Sequence, residues 1–452
     1  MKDLLAQVIF DFFEKHCDFN KNKPILLGLS GGPDSLALLY LLLQYKNCRH
    51  LDLGLAHVDH GWRVESGEEA LQLERLAQEL KLPFYLKKLC PQDLKGNLEA
   101  ASREERHKFF RTLCQDHDYQ AVVLGHHADD QAETVLKRLL EGSSLPYLSG
   151  LQKVTQIQEL KIWRPLLEVR KEEILLWLKK QSLEAFEDCT NLDPRFLRGK
   201  FRTSILPGLS KEFGKEIAPS LCRIGSEALE LKGYLDQVLA PYLSFIEKGK
   251  FGTLLDLSQS CPTSPFEIKH LVRRFCELEN FSLSCSFLEI ACDLILSGKA
   301  NRQLIMGENK IYIDRKRLFI VGRDSEVLPA GLPLEYGIFW YGNWRVTVRE
   351  AGHGGIPSDW REVLKGQARV VLPLKNYILG PVCLQEAYPR TSTVDKWWTD
   401  SKVPAFLRQR IPVLWEGPVI QHEFLTGKTK HGAIVEESGL EIILERETLL
   451  AP

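Results

Sequence analysis

The chain has 452 residues, a net charge of −1, 44% apolar residues and 26% charged residues. That length exceeds what one hydrophobic core usually supports, so two or three domains are expected, with the composition of an ordinary soluble protein. No apolar run reaches membrane-spanning length, and the near-zero net charge leaves any nucleic-acid contact to local patches.

Residues 1–17 (MKDLLAQVIFDFFEKHC) read as a short amphipathic helix without a signal-peptide cleavage site. Eleven cysteines are scattered with no Cys-x-x-Cys among them, and their odd number leaves at least one free thiol, which suits a reducing, cytoplasmic setting. Residues 25–29 (ILLGL) are too short for an isolated helix and suit a strand buried on both faces. The leucines of residues 36–43 cover most of a helix that should be buried, with Asp34 or Ser35 capping its first turn. Between strand and helix lie Ser30, Gly31, Gly32, Pro33, Asp34 and Ser35. The glycines let backbone N–H groups turn inward, hydroxyls flank them, and the helix N-terminus adds positive potential, which together make an anion cradle. It is not a Walker A loop, because no Gly-Lys-Ser/Thr ends it and no lysine is placed to reach a γ-phosphate. The plainer alternative is a glycine turn with a serine cap. Ser-Gly-Gly-x-Asp-Ser after a buried strand resembles the PP-loop ATP pyrophosphatases, which cleave ATP between the α- and β-phosphates. That resemblance implies that Ser30, Gly31, Gly32, Pro33 and Ser35 hold ATP while Asp34 helps to place Mg²⁺, a hard cation that prefers oxygen ligands.

Strand and helix then alternate. Strands are predicted at residues 51–58, 83–89 and 121–125, and helices at 67–80, 98–117 and 129–140. Such alternation predicts an α/β fold with a doubly wound parallel sheet whose ligands lie beyond the carboxyl ends of its strands. Three strand ends carry chemistry: the Ser-Gly-Gly loop, then His57, Asp59 and His60, then His126, His127, Asp129 and Asp130. The histidine and aspartate spacings match no zinc signature, so Mg²⁺ arriving with ATP is the expected metal. Asp130, Glu133, Thr134 and Lys137 share one helix face, as do Glu99, Arg103 and Arg106.

Several motifs occur in a set order: residues 30–35, HVDHGWR at 57–63, NLEAASREER at 97–106, GHHADDQAET at 125–134, RPLL at 164–167 and NLDPRFLR at 191–198. In that order they resemble the long-form tRNA(Ile)-lysidine synthetase family. The strong part of the resemblance covers about the first half of the chain, with Trp62, Cys189, Thr190, Gly199 and Lys200 as modest departures from the family pattern. It implies ligation of L-lysine to C2 of the wobble cytidine in isoleucine tRNA with a CAU anticodon, through an adenylated cytidine, with ATP and Mg²⁺. The implied catalytic residues are Asp34, Arg106, Asp130, Glu133 and Arg198. Implied substrate contacts are His57, Asp59, His60, Arg63, Arg103, His127, Arg195, Lys200 and Arg202. By themselves Arg195, Arg198, Lys200 and Arg202 say only anion site or solvated surface. The other readings are a related PP-loop thiolase or amide-forming ligase, and a non-catalytic nucleotide sensor. The paired cysteines ordinary to a thiolase are absent.

From residue 215 the pattern changes to amphipathic helices, including 266–278 and 284–296, followed by a hairpin at 311–324. The expected domains are 1–214, a Rossmann-like PP-loop catalytic domain; 215–328, mainly helical; and 334–452, a smaller α+β domain, with residues 329–333 (PAGLP) as a linker. The last domain resembles the family's tRNA-binding portion. Arg390, Lys396, Lys402, Arg408 and Arg410 are candidate phosphate contacts there, and Trp397 or Trp398 is either a base-stacking surface or core. The oligomeric state is left open, a homodimer being one expectation.

Overall fold

The structure, a computed structural model, describes residues 3–61, 66–90, 92, 96, 98–185, 197–281, 283–306, 309–321, 328–351, 359–383, 392–430 and 439–447. The chain divides into two compact units, Met1–Tyr234 and Leu235–Pro452. Among the described residues no helix is long and apolar enough to cross a membrane.

The first unit contains strands β1 (Ile25–Gly28), β2 (Leu53–Asp59), β3 (Phe84–Lys88), β4 (Val122–Val123), β5 (Val154–Ile157) and β6 (Leu160–Trp163). They form one sheet in the order β3-β2-β1-β4-β6-β5, parallel except for β5 at its edge. The order reverses between β1 and β4, and a ligand crevice opens at such a reversal. Helices α1 (Leu4–Lys15), α2 (Pro33–Cys48), α3 (Ser66–Glu79), α4 (Leu98–Asp116), α5 (Ala128–Leu140) and α6 (Lys171–Lys180) accompany the sheet. They are followed by α7 (Leu197–Lys200), a π-helical turn (Phe201–Ile205), α8 (Leu206–Phe213) and α9 (Ala218–Leu243), and the two units divide within α9.

Side chains alternate across the pleat, so each strand feeds two cores. Ile25, Leu27 and Leu29 join Leu53, Leu55 and Val123 in a core shared with α1, α2 and α6. Leu26 points the other way with Ala56, Val58 and Val122, against Phe110 and Leu113 of α4 and against Tyr119. Helix α2 is buried on nearly all sides, as its run of leucines predicts.

The second unit has strands β7 (Ile246–Gly249) and β8 (Gly252–Asp256), helices α10 (Pro265–Leu278) and α11 (Cys285–Ser297), and strands β9 (Arg302–Met306), β10 (Asn309–Asp314) and β11 (Arg317–Val321). The five strands form an antiparallel sheet in the order β7-β8-β11-β10-β9, so the helices have a sheet beside them of which only the β10–β11 hairpin was expected. Then come β12 (Leu332–Pro333), β13 (Gly337–Tyr341), β14 (Trp344–Glu350), α12 (Trp360–Lys365), β15 (Gln367–Pro373), β16 (Ile378–Gly380), α13 (Ser392–Asp400), β17 (Val413–Glu416), β18 (Val419–Glu423) and β19 (Gly439–Arg446). They make two four-stranded sheets, β12-β16-β17-β18 and β13-β14-β19-β15. Residues 329–333 are not a free tether: Leu332 pairs with Leu379, and the Tyr341 hydroxyl donates to the Pro329 carbonyl at 2.6 Å. Phe251, Leu254 and Phe319 share one core with Trp344, Val370, Leu414 and Ile442. Trp398 belongs to that core, 3% exposed, and donates its Nε1–H to Glu423 at 2.7 Å, which settles it as packing. Arg408 donates to the Val403 carbonyl and lies over the Trp398 ring, and Arg390 falls outside the described residues.

Gly54 on β2 leaves the space that Tyr119 fills, since a β-carbon there would stand 2.0 Å from the phenol oxygen. Gly54→Ala therefore forces a buried ring out of place. It is expected to cost roughly 1–3 kcal/mol, read as a lowered urea midpoint with unchanged slope.

Candidate active site

The strand β1 ends at the loop that the rest of the site surrounds. Gly31 takes a φ of +86°, a conformation that favours glycine, and turns the chain toward α2. The Ser30 N–H donates to Ser35 Oγ at 3.1 Å, and Ser35 Oγ donates to the Gly32 carbonyl at 3.1 Å. The two serine hydroxyls are 3.0 Å apart. Neither Asp34 nor Ser35 caps the helix. Gly32 is the N-cap and Pro33, which has no N–H to satisfy, opens the first turn. Asp34 is thereby free to turn outward. The β4–α5 connection crosses close above, where a β-carbon on Gly125 would stand 3.0 Å from the Asp34 carbonyl and the Ser35 nitrogen.

Asp34 meets a lysine that the loop itself lacks. Lys171 Nζ, from the first residue of α6, is 2.6 Å from Asp34 Oδ1. The Lys171 backbone N–H donates to Asp129 at 2.9 Å, and Arg170 binds the same carboxylate through Nε at 3.1 Å while its other arm reaches Glu216 at 2.7 Å. His127 stands among three acids, with Nε2 at 3.7 Å from Asp34 and 3.5 Å from Asp130, and Nδ1 at 3.5 Å from Asp129. Burial would lower its pKa, but Asp129, Asp130 and Asp34 outweigh that and raise it.

Further along α5, Asp130 and Glu133 are both buried. Arg202, from the π-helical turn, donates from Nε to Glu133 Oε1 and from a terminal nitrogen to Asp130 Oδ1, each at 2.5 Å. Asp130 Oδ2 accepts the His127 N–H at 3.1 Å. Burial tends to raise the Asp130 pKa, but His127, His126 and Arg202 bring it below the usual value. Glu133 is raised, because burial outweighs the opposing pull of Arg202.

A second region is cationic. Burial, with Arg103 and Arg198 nearby, lowers the Arg106 pKa to about 10, and burial with Arg103 and Arg106 lowers Arg164 to about 10. His126 is pushed to about 3 by burial, with Arg164, Arg106 and Arg198 adding to the shift against Asp130. Among the described residues, Arg106 Nε and Arg164 Nε are buried without a hydrogen-bond partner. Cations held this close from α4, the β6 end and α7 are stabilised by a polyanion such as a nucleotide or RNA backbone.

Most of the anticipated residues are therefore gathered around one crevice, with exceptions. His57 is buried and bonds through Nδ1 to the Leu29 carbonyl at 2.8 Å, so it braces β1. Asp59 is likewise buried, and accepts the Gly61 N–H at 2.9 Å to close the turn after β2. Arg202 serves the carboxylates, where a phosphate contact was expected. His60 is half-buried at the β2 end, Arg103 and Arg198 are exposed on α4 and α7, and Lys200 is exposed at the α7 end. Arg63 and Arg195 lie outside the described residues. Arg164, Arg170 and Lys171 were not among the anticipated site residues, and His126 was anticipated only as part of the strand-end cluster. Their only signal was position, the RPLL motif and the predicted strand end.

The PP-loop domain family matches residues 3–209. The chain is 40% identical over 437 residues to the tRNA(Ile)-lysidine synthase of Protochlamydia amoebophila (strain UWE25), spanning 96% of this chain and 95% of that protein. It is 37% identical over 286 residues to the tRNA(Ile)-lysidine synthase of Chlamydia trachomatis serovar L2, 63% of this chain and 88% of that one. Among solved structures, the U34-tRNA thiolase NcsA from Methanococcus maripaludis matches with a TM-score of 0.42 and 20% identity, over 50% of this chain and 78% of that one.

Asp129 ties α5 to the start of α6, and its carboxyl is held well below the ordinary range: burial opposes this, and His127, the Lys171 N–H and Arg170 outweigh it. A depressed folded-state pKa contributes stability above the unfolded value of about 3.9, and that stability is lost as pH falls through the folded value. Asp129→Asn should therefore destabilise the fold by roughly 2–4 kcal/mol at neutral pH. In denaturant titrations the gap from the parent protein should narrow only below about pH 4.

Proposed function

The chain belongs to the tRNA(Ile)-lysidine synthase family, PP-loop ligases that use ATP to modify tRNA, and we propose that it joins L-lysine to C2 of the wobble cytidine in the CAU-anticodon isoleucine tRNA. The observation that carries this reading is the bridge made by His127, which brings the phosphate cradle at Asp34 and the carboxylate pair at Asp130 within one side chain of each other.

The cytidine C2 oxygen is a poor leaving group until AMP is transferred to it. In the proposed reaction that oxygen attacks the α-phosphorus of ATP, and pyrophosphate departs. The lysine ε-nitrogen then bonds to C2 as the C2–O bond breaks, and AMP leaves with the electron pair. The residues fit ATP: Ser30, Gly31, Gly32 and Ser35 line the cradle, and Lys171 stands at its rim. Asp34 offers the oxygen ligand that Mg²⁺ takes beside phosphates, and the cation would neutralise charge developing on them. Arg106, Arg164 and Arg198 are suited to the α-phosphate and adenylate.

Free lysine must lose a proton before it attacks, which from a pKa near 10.4 costs about 4–5 kcal/mol at pH 7. Asp130 and Glu133 are the groups we place against that ammonium, Glu133 with the raised pKa suited to accepting a proton. Residues after 215 are assigned to holding the tRNA.

Purified protein given ATP, labelled lysine and isoleucine tRNA transcripts should yield AMP and pyrophosphate with a CAU anticodon and not with GAU. Glu133→Gln and Asp130→Asn should each lower lysine incorporation by about 100-fold or more. ADP and orthophosphate as products, or unimpaired incorporation by both variants, would overturn the proposal.

A further inference from the structure

Two carboxylates one helical turn apart in a buried place repel each other, and without a counter-charge at least one stays protonated. Asp130 and Glu133 of α5 are in this position, 7% and 3% exposed. Their counter-charge comes from Arg202, 72 and 69 residues away in sequence. Its backbone is fixed on both sides: Phe201 is buried with Ala132, Val135 and Leu136 of α5, and the Thr203 hydroxyl donates to the Gly199 carbonyl at 2.8 Å. The π-helical winding at Phe201–Ile205 adds a residue to the turn, a feature common at functional sites.

The guanidinium takes one oxygen from each acid, and Asp130 Oδ2 accepts the His127 N–H. One carboxylate oxygen of the pair is left over. Glu133 Oε2 is buried and has no hydrogen-bond partner among the described residues. A buried carboxylate oxygen with no donor is costly unless a donor arrives. With Arg202 in place the trio carries a single negative charge, which one ammonium group cancels.

We propose that Arg202 is a positioning residue for the amine substrate, holding Glu133 and Asp130 by one oxygen each and presenting Glu133 Oε2 as the atom that receives the lysine ammonium and takes its proton. This rests on the function proposed above. The ammonium gives one proton to Oε2, the bond changes at C2 are those already described, and the nitrogen's second proton leaves with the departing phosphate. Arginine suits the task and lysine does not, because only the planar fork spans two carboxylates at once. The charged groups facing Glu133 are Arg202, Asp130 and Arg198, and Asp130 is faced in turn by His127 and His126.

The test separates the half-reactions in the full chain, using Arg202→Gln and Arg202→Lys. AMP transfer to the tRNA is measured without lysine, and lysine transfer is followed from the preformed adenylate across lysine concentration and pH. Adenylation by Arg202→Gln should stay within about 3-fold of the parent, while lysine transfer at pH 7 falls by about 100-fold and its profile moves to higher pH. Arg202→Lys, which keeps the charge without the fork, should recover part of the loss with a raised KM for lysine. Equal loss of both half-reactions in a variant that keeps the parent melting temperature would overturn the proposal, as would normal transfer with an unmoved profile. Should the glutamine variant not fold, Arg202→Lys decides through the same split. Parent protein that adenylates the tRNA yet accepts no lysine would overturn the function itself and with it the role of Arg202, an outcome distinct from any loss confined to the variants.

Discussion

A carboxylate withdrawn from water needs a counter-charge, and the crevice of the first unit is organised by that requirement. Asp34 is met by Lys171, Asp129 by Arg170, and Asp130 with Glu133 by Arg202. Asp34, Asp129 and Asp130 sit on the first turns of α2 and α5, and Glu133 one turn further along α5. The cations all come from α6 and the π-helical turn. Each pair therefore pins a later segment of the chain to the strand ends, and His127 links the pairs into one network. Beside it, Arg103, Arg106, Arg164 and Arg198 lie close together, and burial, with Arg164, Arg106 and Arg198, suppresses the basicity of His126. One side of the crevice pairs acids with cations, and the other gathers arginines, which in the proposed reaction face the phosphates.

Strands β1 to β4, the loop after β1 and helices α1 to α5 were legible because they depend on neighbours in sequence: a short apolar run, a Gly-Gly turn, leucines at helical spacing; β5, β6 and α6 were not anticipated. The ion pairs were not. Lys171 stands 137 residues from Asp34, and no periodicity records that meeting. Arg202 looked like one more cation in a basic run until the fold placed it against two acids. His57 shows the opposite limit: a polar residue near a strand end resembles a ligand, and the sequence did not show that its Nδ1 is taken by the Leu29 carbonyl of the adjacent strand. In the second unit α10 and α11 announced themselves by period, whereas β7, β8 and β9 are four or five residues long and too short to stand out from their surroundings. Trp398 could be read either way from sequence, and its burial with the bond to Glu423 decides it.

Leu26 faces one core while Ile25, Leu27 and Leu29 face the other, and the phosphate loop starts at the next residue. Ahead of Ile25 the chain runs through a largely exposed stretch, residues 18–22. Between Ile25 and Ser30 the register is fixed by burial on both faces. One inserted or deleted residue would exchange the two sets of side chains and aim the loop's N–H groups at the opposite side of the sheet. Genetic variation in this stretch is thus confined to substitutions of similar bulk, and insertions and deletions there should be purged however conservative their chemistry.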